Sequence, residues 1–212
     1  ITVTAVNTLN AISPIRTMTA STYQAVSGAG KEGIDELDAQ VRDHSEGREM
    51  TANILPSASA EKHYPIAFNL IPQIDVFCDN LYTKEEMKMV NETKKIMEDY
   101  EMRITATTIR VPVYRSHSES VNIELEKEVD LGAMREALAK FPGVTVQDDP
   151  SKQEYPMPLY TSEKDNVYVG RLRRDESCEK SYNMWVVGDQ IRKGAALNTL
   201  QIAETMIKNG WI

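Results

Sequence analysis

The chemistry in this sequence starts at His117. It stands seven positions after Arg110 and is flanked by Ser116, Ser118 and Glu119. A titratable imidazole beside a fixed guanidinium charge suits general acid–base work near neutral pH. A lone histidine serves packing more often than proton transfer, and these residue types alone leave both roles open. His44 and His63 show no HxxxH or HxH spacing and no companion thiols or carboxylates, so no metal site is expected. A second grouping, Gly28-Ala29-Gly30-Lys31-Glu32-Gly33, fits the GxGxxG dinucleotide pattern. That pattern also needs a strand after its helix, ending in an acidic residue about twenty positions on, and Asp43 to Gly47 is polar and strandless. A P-loop fails too, because Glu32 stands where Ser or Thr would bind the metal. What remains is a glycine turn before a helix, suited to a phosphate or carboxylate and equally to an ordinary strand-to-helix connection. The third grouping is Glu85, Glu86 and Lys88, in which charges at i and i+3 share one helix face.

These groups need elements to hold them. Ile1 to Ser13 reads as a helix with Val3, Val6 and Leu9 or Asn10 on one face, and Ile15 to Thr22 is richer in β-formers. After the glycine turn, Ile34, Leu37 and Val41 form a helical stripe that ends near Gly47. Arg48 to His63 is polar and reads as a surface loop, whereas Pro65 to Val76 is apolar and expected to be buried. Thr83-Lys84-Glu85-Glu86 is a capping box, which starts a helix running past Met97. From Ile104 the period becomes two, through Val113 and again from Val121 to Leu125, so two strands are expected with Ser116 to Ser120 between them. Asp130 to Lys140 is helical, Asn166 to Leu172 and Asn183 to Val187 alternate as strands, and Gly194 to Lys208 is a last helix. Strand pairs separated by helices give an α+β fold with a largely antiparallel mixed sheet.

Composition narrows the function. The chain has 212 residues, 41% of them hydrophobic, with Lys+Arg 24 against Asp+Glu 32 and a formal charge of -8. It is long enough for a real core, and its acidic balance argues against a nucleic-acid partner. No run approaches the length of a membrane helix and no signal-peptide pattern opens the chain, so a soluble cytoplasmic protein is expected. Cys78 and Cys178 form no CxxC pair and are expected to be reduced. The chain opens at Ile1 rather than Met, so a processed start or a fragment is expected.

From Ser21-Thr22-Tyr23-Gln24-Ala25-Val26-Ser27-Gly28-Ala29-Gly30 onward the chain resembles the aspartate-β-semialdehyde dehydrogenase family. The similar blocks continue through HYPIAFNLIPQIDVF (63–77), YTKEEMKM (82–89), IRVPV and HSES (109–120), VGRLRRD (169–175) and WVVGDQIRKGAALNTLQIAE (185–204), in the family's order. The resemblance implies reversible reductive dephosphorylation of L-aspartyl 4-phosphate to L-aspartate 4-semialdehyde with NADP, a step toward lysine, threonine and methionine. It implies a glyceraldehyde-3-phosphate-dehydrogenase-like C-terminal fold with helices on one face of the sheet, and a homodimer, with a tetramer as an extension. Carried over by position, His117 takes the acid/base role and Arg110 grips the substrate α-carboxylate. Gln24 orients the substrate, Glu85 faces its ammonium, Lys88 contributes to the phosphate site, and Ser27, Gly28 and Gln190 contact the cofactor.

One departure matters. The family's nucleophilic cysteine, in an Asn-Cys motif, falls by position just before Ile1, and neither Cys78 nor Cys178 lies in such a context. The N-terminal nucleotide-binding domain is absent as well. The expected organisation is therefore a helix over 1–20 leading from the missing nucleophile and a catalytic and dimerisation domain over 21–212, inactive alone. The alternative from another class is a non-catalytic dimerising paralogue or small-acid-binding remnant.

Overall fold

Period-two alternation along the strand segments builds one sheet, and the apolar parity of each strand decides which face the helices cover. The computed structural model describes residues 1–212. In chain order its elements are α1 (Thr2–Asn10), β1 (Ile15–Gln24), α2 (Gly30–Ser45), α3 (Lys84–Ile96), β2 (Arg103–Arg110), β3 (His117–Leu125), α4 (Leu131–Lys140), β4 (Val144–Val146), α5 (Pro158–Thr161), β5 (Val167–Arg174), β6 (Ser181–Gly188) and α6 (Leu197–Lys208). The six strands run in the order β2-β1-β3-β6-β5-β4. β1 with β2 and β4 with β5 are parallel pairs, and the other three pairings are antiparallel. The fold is α+β with a mixed, largely antiparallel sheet, as expected. No helix is long and apolar enough to cross a membrane.

One face of the sheet holds the core. Met18 and Ala20 of β1, Val121, Ile123 and Leu125 of β3, and Tyr182, Met184 and Val186 of β6 meet Ala5, Val6 and Leu9 of α1 and Met134 and Leu138 of α4. The opposite face carries Thr19, Tyr23, Ser120, Asn122, Trp185 and Arg173, half-buried or exposed. The capping box forms as read: Thr83 Oγ1 accepts from the Glu86 amide and Glu86 Oε2 accepts from the Thr83 amide. Glu86 does more than cap, because its Oε1 accepts the Thr108 amide at 2.9 Å and moors α3 to β2.

Several boundaries differ from the sequence reading. The segment 116–120 is not a connector: β3 begins at His117, because its antiparallel ladder with β6 extends to the pair His117 with Gly188. Within 65–76, Ile66, Ala67, Ile71 and Ile74 are buried, but Phe68 is 68% exposed and Leu70 is 56% exposed, since the segment follows no regular period. On α2 the buried set is Gly33, Glu36, Leu37 and Gln40 rather than the stripe ending in Val41. The long irregular segment after α2 has no ladder to satisfy its amides, and these polar side chains do so. Gln40 Oε1 accepts from the Ile66 and Ala67 amides, and Glu36 Oε2 from those of Asn53 and Ile54. The last helix starts only at Leu197, after a π turn over Arg192–Ala196, and buries none of its residues. The short β4 and α5 had no periodic signal.

Glu86→Ala removes both the cap and the mooring to Thr108, leaving buried amides unpaired. The expected loss is on the order of 2 kcal/mol in urea unfolding, whereas Glu92→Ala on the exposed face of the same helix changes stability by less than about 0.5 kcal/mol.

Candidate active site

Strand register alone gathers the polar residues. β1 and β2 run parallel and end together, with Gln24 opposite Arg110, while β3 begins at His117 opposite the last residue of β6, Gly188. Three strand ends and one strand start therefore meet at one end of the sheet. Gln24, Arg110 and His117 all lie on the parity that faces the helices. Gln24 is 6% exposed and Arg110 is 3% exposed.

Ala25 ties this cluster together. Its carbonyl accepts from Arg110 Nη1 at 2.7 Å, and its amide donates to His117 Nδ1 at 3.1 Å. Arg110 Nε is buried with no partner, an orphaned donor in an otherwise paired cluster. Burial lowers the Arg110 pKa to about 10, with Glu85 pulling it back up. Burial first, then the Arg110 charge, depress the His117 pKa to about 3. Gly28 faces both groups: a Cβ there would lie 2.5 Å from Arg110 Nη1 and 3.4 Å from His117 Cε1.

Two further sets surround the clasp. From the first turn of α3, Glu85 Oε1 accepts from Gln24 Nε2 at 3.3 Å, and Lys88 Nζ lies 3.8 Å from Glu85 Oε2 with its side chain 58% exposed. On the other flank, Gln190 Nε2 donates to Ser27 Oγ at 2.6 Å and Gln190 Oε1 accepts from the Ser116 amide at 3.2 Å. All eight residues singled out in the sequence, Gln24, Ser27, Gly28, Glu85, Lys88, Arg110, His117 and Gln190, thus fall into one connected neighbourhood. The cluster offers a buried cation, a carboxylate, a solvent-facing ammonium and a neutral imidazole.

Two carboxylates here were not found from the sequence. Asp189 is fully buried, pairs with Arg115 Nε at 2.6 Å, and accepts from the Glu163 and Ile191 amides. It fixes the turn that presents Gln190. Glu119 is 6% exposed and accepts from Thr2 Oγ1. A signal for Glu119 existed in strand parity: it shares a face with Val121, Ile123 and Leu125, so an acid there points into the core. Asp189 had none, because a Gly-Asp pair after a strand reads as a turn.

Comparison with known proteins gives the family. Residues 7–193 match the family described as semialdehyde dehydrogenase, dimerisation domain. The aspartate-semialdehyde dehydrogenase of Aquifex aeolicus is 49% identical over 198 residues, covering 93% of this chain and 56% of the relative. That of Bacillus subtilis is 49% identical over 189 residues, covering 89% and 55%. The crystal structure of aspartate semialdehyde dehydrogenase II from Vibrio cholerae complexed with ASA superposes with a TM-score of 0.88 at 40% identity, covering 96% of this chain and 58% of that one. The chain thus spans little more than half the length of these relatives. By sequence and by fold alike, it belongs to the semialdehyde dehydrogenase dimerisation-domain family.

Proposed function

We propose that this chain supplies the substrate-binding and proton-handling half of an NADP-dependent aspartate-semialdehyde dehydrogenase, which interconverts L-aspartyl 4-phosphate and L-aspartate 4-semialdehyde with phosphate. The observation that carries the reading is the clasp of Arg110 and His117 on Ala25, with an unpartnered guanidinium nitrogen left over. A planar guanidinium with a free donor matches a carboxylate. Glu85 offers the opposite charge for an ammonium, and Lys88, one turn on, offers a cation to a phosphate. Together they complement an amino acid carrying a second anionic group. Gln24, hydrogen-bonded to Glu85, orients the substrate between them.

His117 handles the proton. Because Nδ1 accepts the Ala25 amide, the neutral ring carries its hydrogen on Nε2. The half-buried ring beside Arg110 resists a second proton, so it meets the reacting group as a neutral donor rather than as an imidazolium. A nucleophile presented just before Ile1 would stand beside this ring. Ile1 packs over Gly188, its side chain 3.3 Å from where a Cβ would sit, and Gly188 pairs with His117. Gly28 is the test of cofactor fit: only a hydrogen there leaves room in front of Arg110 and His117. Ser27, Gly28 and Gln190 would hold NADP, which when bound supplies or takes the hydride.

The open face of the sheet supports a homodimer. Tyr23 and Trp185 meet there in a tilted pair, ring centroids 5.5 Å apart at 47°, beside a groove of about 350 Å³ lined by Ser120, Tyr155, Pro156, Met157, Arg171 and Trp185. A half-exposed sheet face that sets aromatic side chains among polar ones is the kind of surface a two-fold contact buries.

Three outcomes follow. In the full-length protein, assayed with aspartate semialdehyde, phosphate and NADP, Arg110→Lys raises KM for the semialdehyde about 10²-fold with a smaller change in kcat, and His117→Ala lowers kcat 10²- to 10⁴-fold; an inactive wild-type protein would sink the reading. In ¹⁵N-resolved spectra His117 keeps one tautomer and stays neutral down to about pH 4, whereas an unfolded histidine protonates near pH 6.5. The unfolded chain then binds more protons between those values, so His117 lowers stability as pH falls through that window, and His117→Gln reduces this loss. Sedimentation gives a dimer at micromolar concentration for the full-length protein and a monomer for Trp185→Glu, with a dimeric variant counting against the sheet-face contact.

A further inference from the structure

We propose that Glu119 is a positioning residue for this site, a latch that holds the first turn of α1 against the strand carrying His117. The inference rests on the reading above, because it matters to catalysis only if the segment leading into α1 presents the nucleophile.

Residues i and i+2 on a strand share a face, so Glu119 follows His117 directly on the side that faces the helices. The same row continues with Val121, Ile123 and Leu125, all buried and apolar. Across the ladders, Glu119 lies opposite Thr22 of β1 and Val186 of β6. Packing asks for an aliphatic residue at this position. A carboxyl group here gives up its hydration, and burial pushes its pKa up, with the Thr2 hydroxyl drawing it back down.

Its partner explains its presence. Thr2 Oγ1 donates to Glu119 Oε2, and Thr2 is itself 6% exposed. The two residues are 117 positions apart, so the bond joins distant parts of the chain at the site. The rest of α1 is held by Ala5, Val6 and Leu9 in the apolar core, which tolerates small rotations and slides of a helix. Dispersion contacts are non-directional; a hydroxyl-to-carboxyl bond is directional and fixes the helix start in rotation and height. Ile1, one residue earlier, lies over Gly188, the partner of His117 in the ladder. Fixing Thr2 therefore fixes what Ile1 and its N-terminal neighbours present to the imidazole. A buried polar group that an apolar core would do without marks a position retained for geometry rather than stability.

The test uses the full-length protein with Thr2→Val, Glu119→Leu, Glu119→Gln and the Thr2→Val/Glu119→Leu double variant. A misplacement of about 1 Å costs on the order of 10²-fold in rate, so Thr2→Val and Glu119→Leu each lower kcat by roughly that factor. KM for the semialdehyde stays within about threefold of wild type, because that binding rests on Arg110 and Glu85. The double variant is no worse than either single one, since both remove one unit. Glu119→Gln keeps an acceptor for Thr2 and restores most of kcat. Hydrogen exchange reads the latch without turnover: in Thr2→Val and Glu119→Leu the first-turn amides of α1 exchange at least about tenfold faster, while those of β1 and β3 keep their protection. Unchanged exchange in α1, or kcat and KM moving together with a general loss of protection, overturns the proposal. Should the wild-type protein turn over no semialdehyde, the functional reading fails, and the exchange experiment still decides whether Glu119 holds α1.

Discussion

The site hangs on one residue's main chain. Ala25 follows the last residue of β1, is fully buried, and has both polar backbone groups engaged by side chains from other strands: its carbonyl by Arg110, its amide by His117. Each contact answers a backbone requirement and a side-chain requirement at once. A chain leaving a strand has an amide and a carbonyl with no ladder partner, and a buried arginine and histidine need partners that do not shift their charge. Ala25 satisfies both, at the cost of the His117 ring facing a fixed cation. Burial first and the Arg110 charge second depress the histidine pKa, and the single tautomer follows from the amide at the end of β1.

Register extends this constraint to the rest of the sheet. Moving β2 by one residue against β1 would turn Arg110 to the opposite face and take its guanidinium away from Ala25's carbonyl. The mooring of Glu86 to the Thr108 amide, two residues before Arg110, and the bond between Ile71 and Arg110 main chains at 2.9 Å hold that register from outside the sheet. Because α3 is placed by Glu86, its neighbour Glu85 arrives beside Gln24 and accepts its amide. One buried carboxylate thus sets both the strand that carries the guanidinium and the helix that carries its counter-charge.

Much of this was legible in the residues. Alternation at Ile104–Thr108 and Val121–Leu125 gave the edge strand β2 and the central strand β3, and the capping box gave α3, because both signals are local and physical. The eight site residues came from the resemblance; periodicity alone had left His117 and the glycine turn open. What escaped depended on contacts between distant segments. The strand character of His117–Ser120 comes from pairing with β6, which no local pattern reports. Glu36 and Gln40 read as the polar side of an amphipathic helix, and only the unladdered loop packed against them makes them interior. Asp189 read as a turn residue because its partners, Arg115 and the Glu163 amide, are remote in sequence.

These misses share a direction. Glu36, Gln40, Glu86, Glu119 and Asp189 are all polar groups that a hydrophobicity count places at the surface and that the fold encloses. Each accepts from a donor that its own element cannot satisfy: an amide in an irregular segment, a strand-edge amide, or a hydroxyl at a helix start. The interior near the site is thus assembled by directional bonds between segments, while the interior beneath α1 and α4 is assembled by apolar packing. Apolar packing brings a helix near its place; directional bonds fix its angle and height. A site whose groups must stand at defined distances requires the second kind, and that is where the chain spends its buried carboxylates.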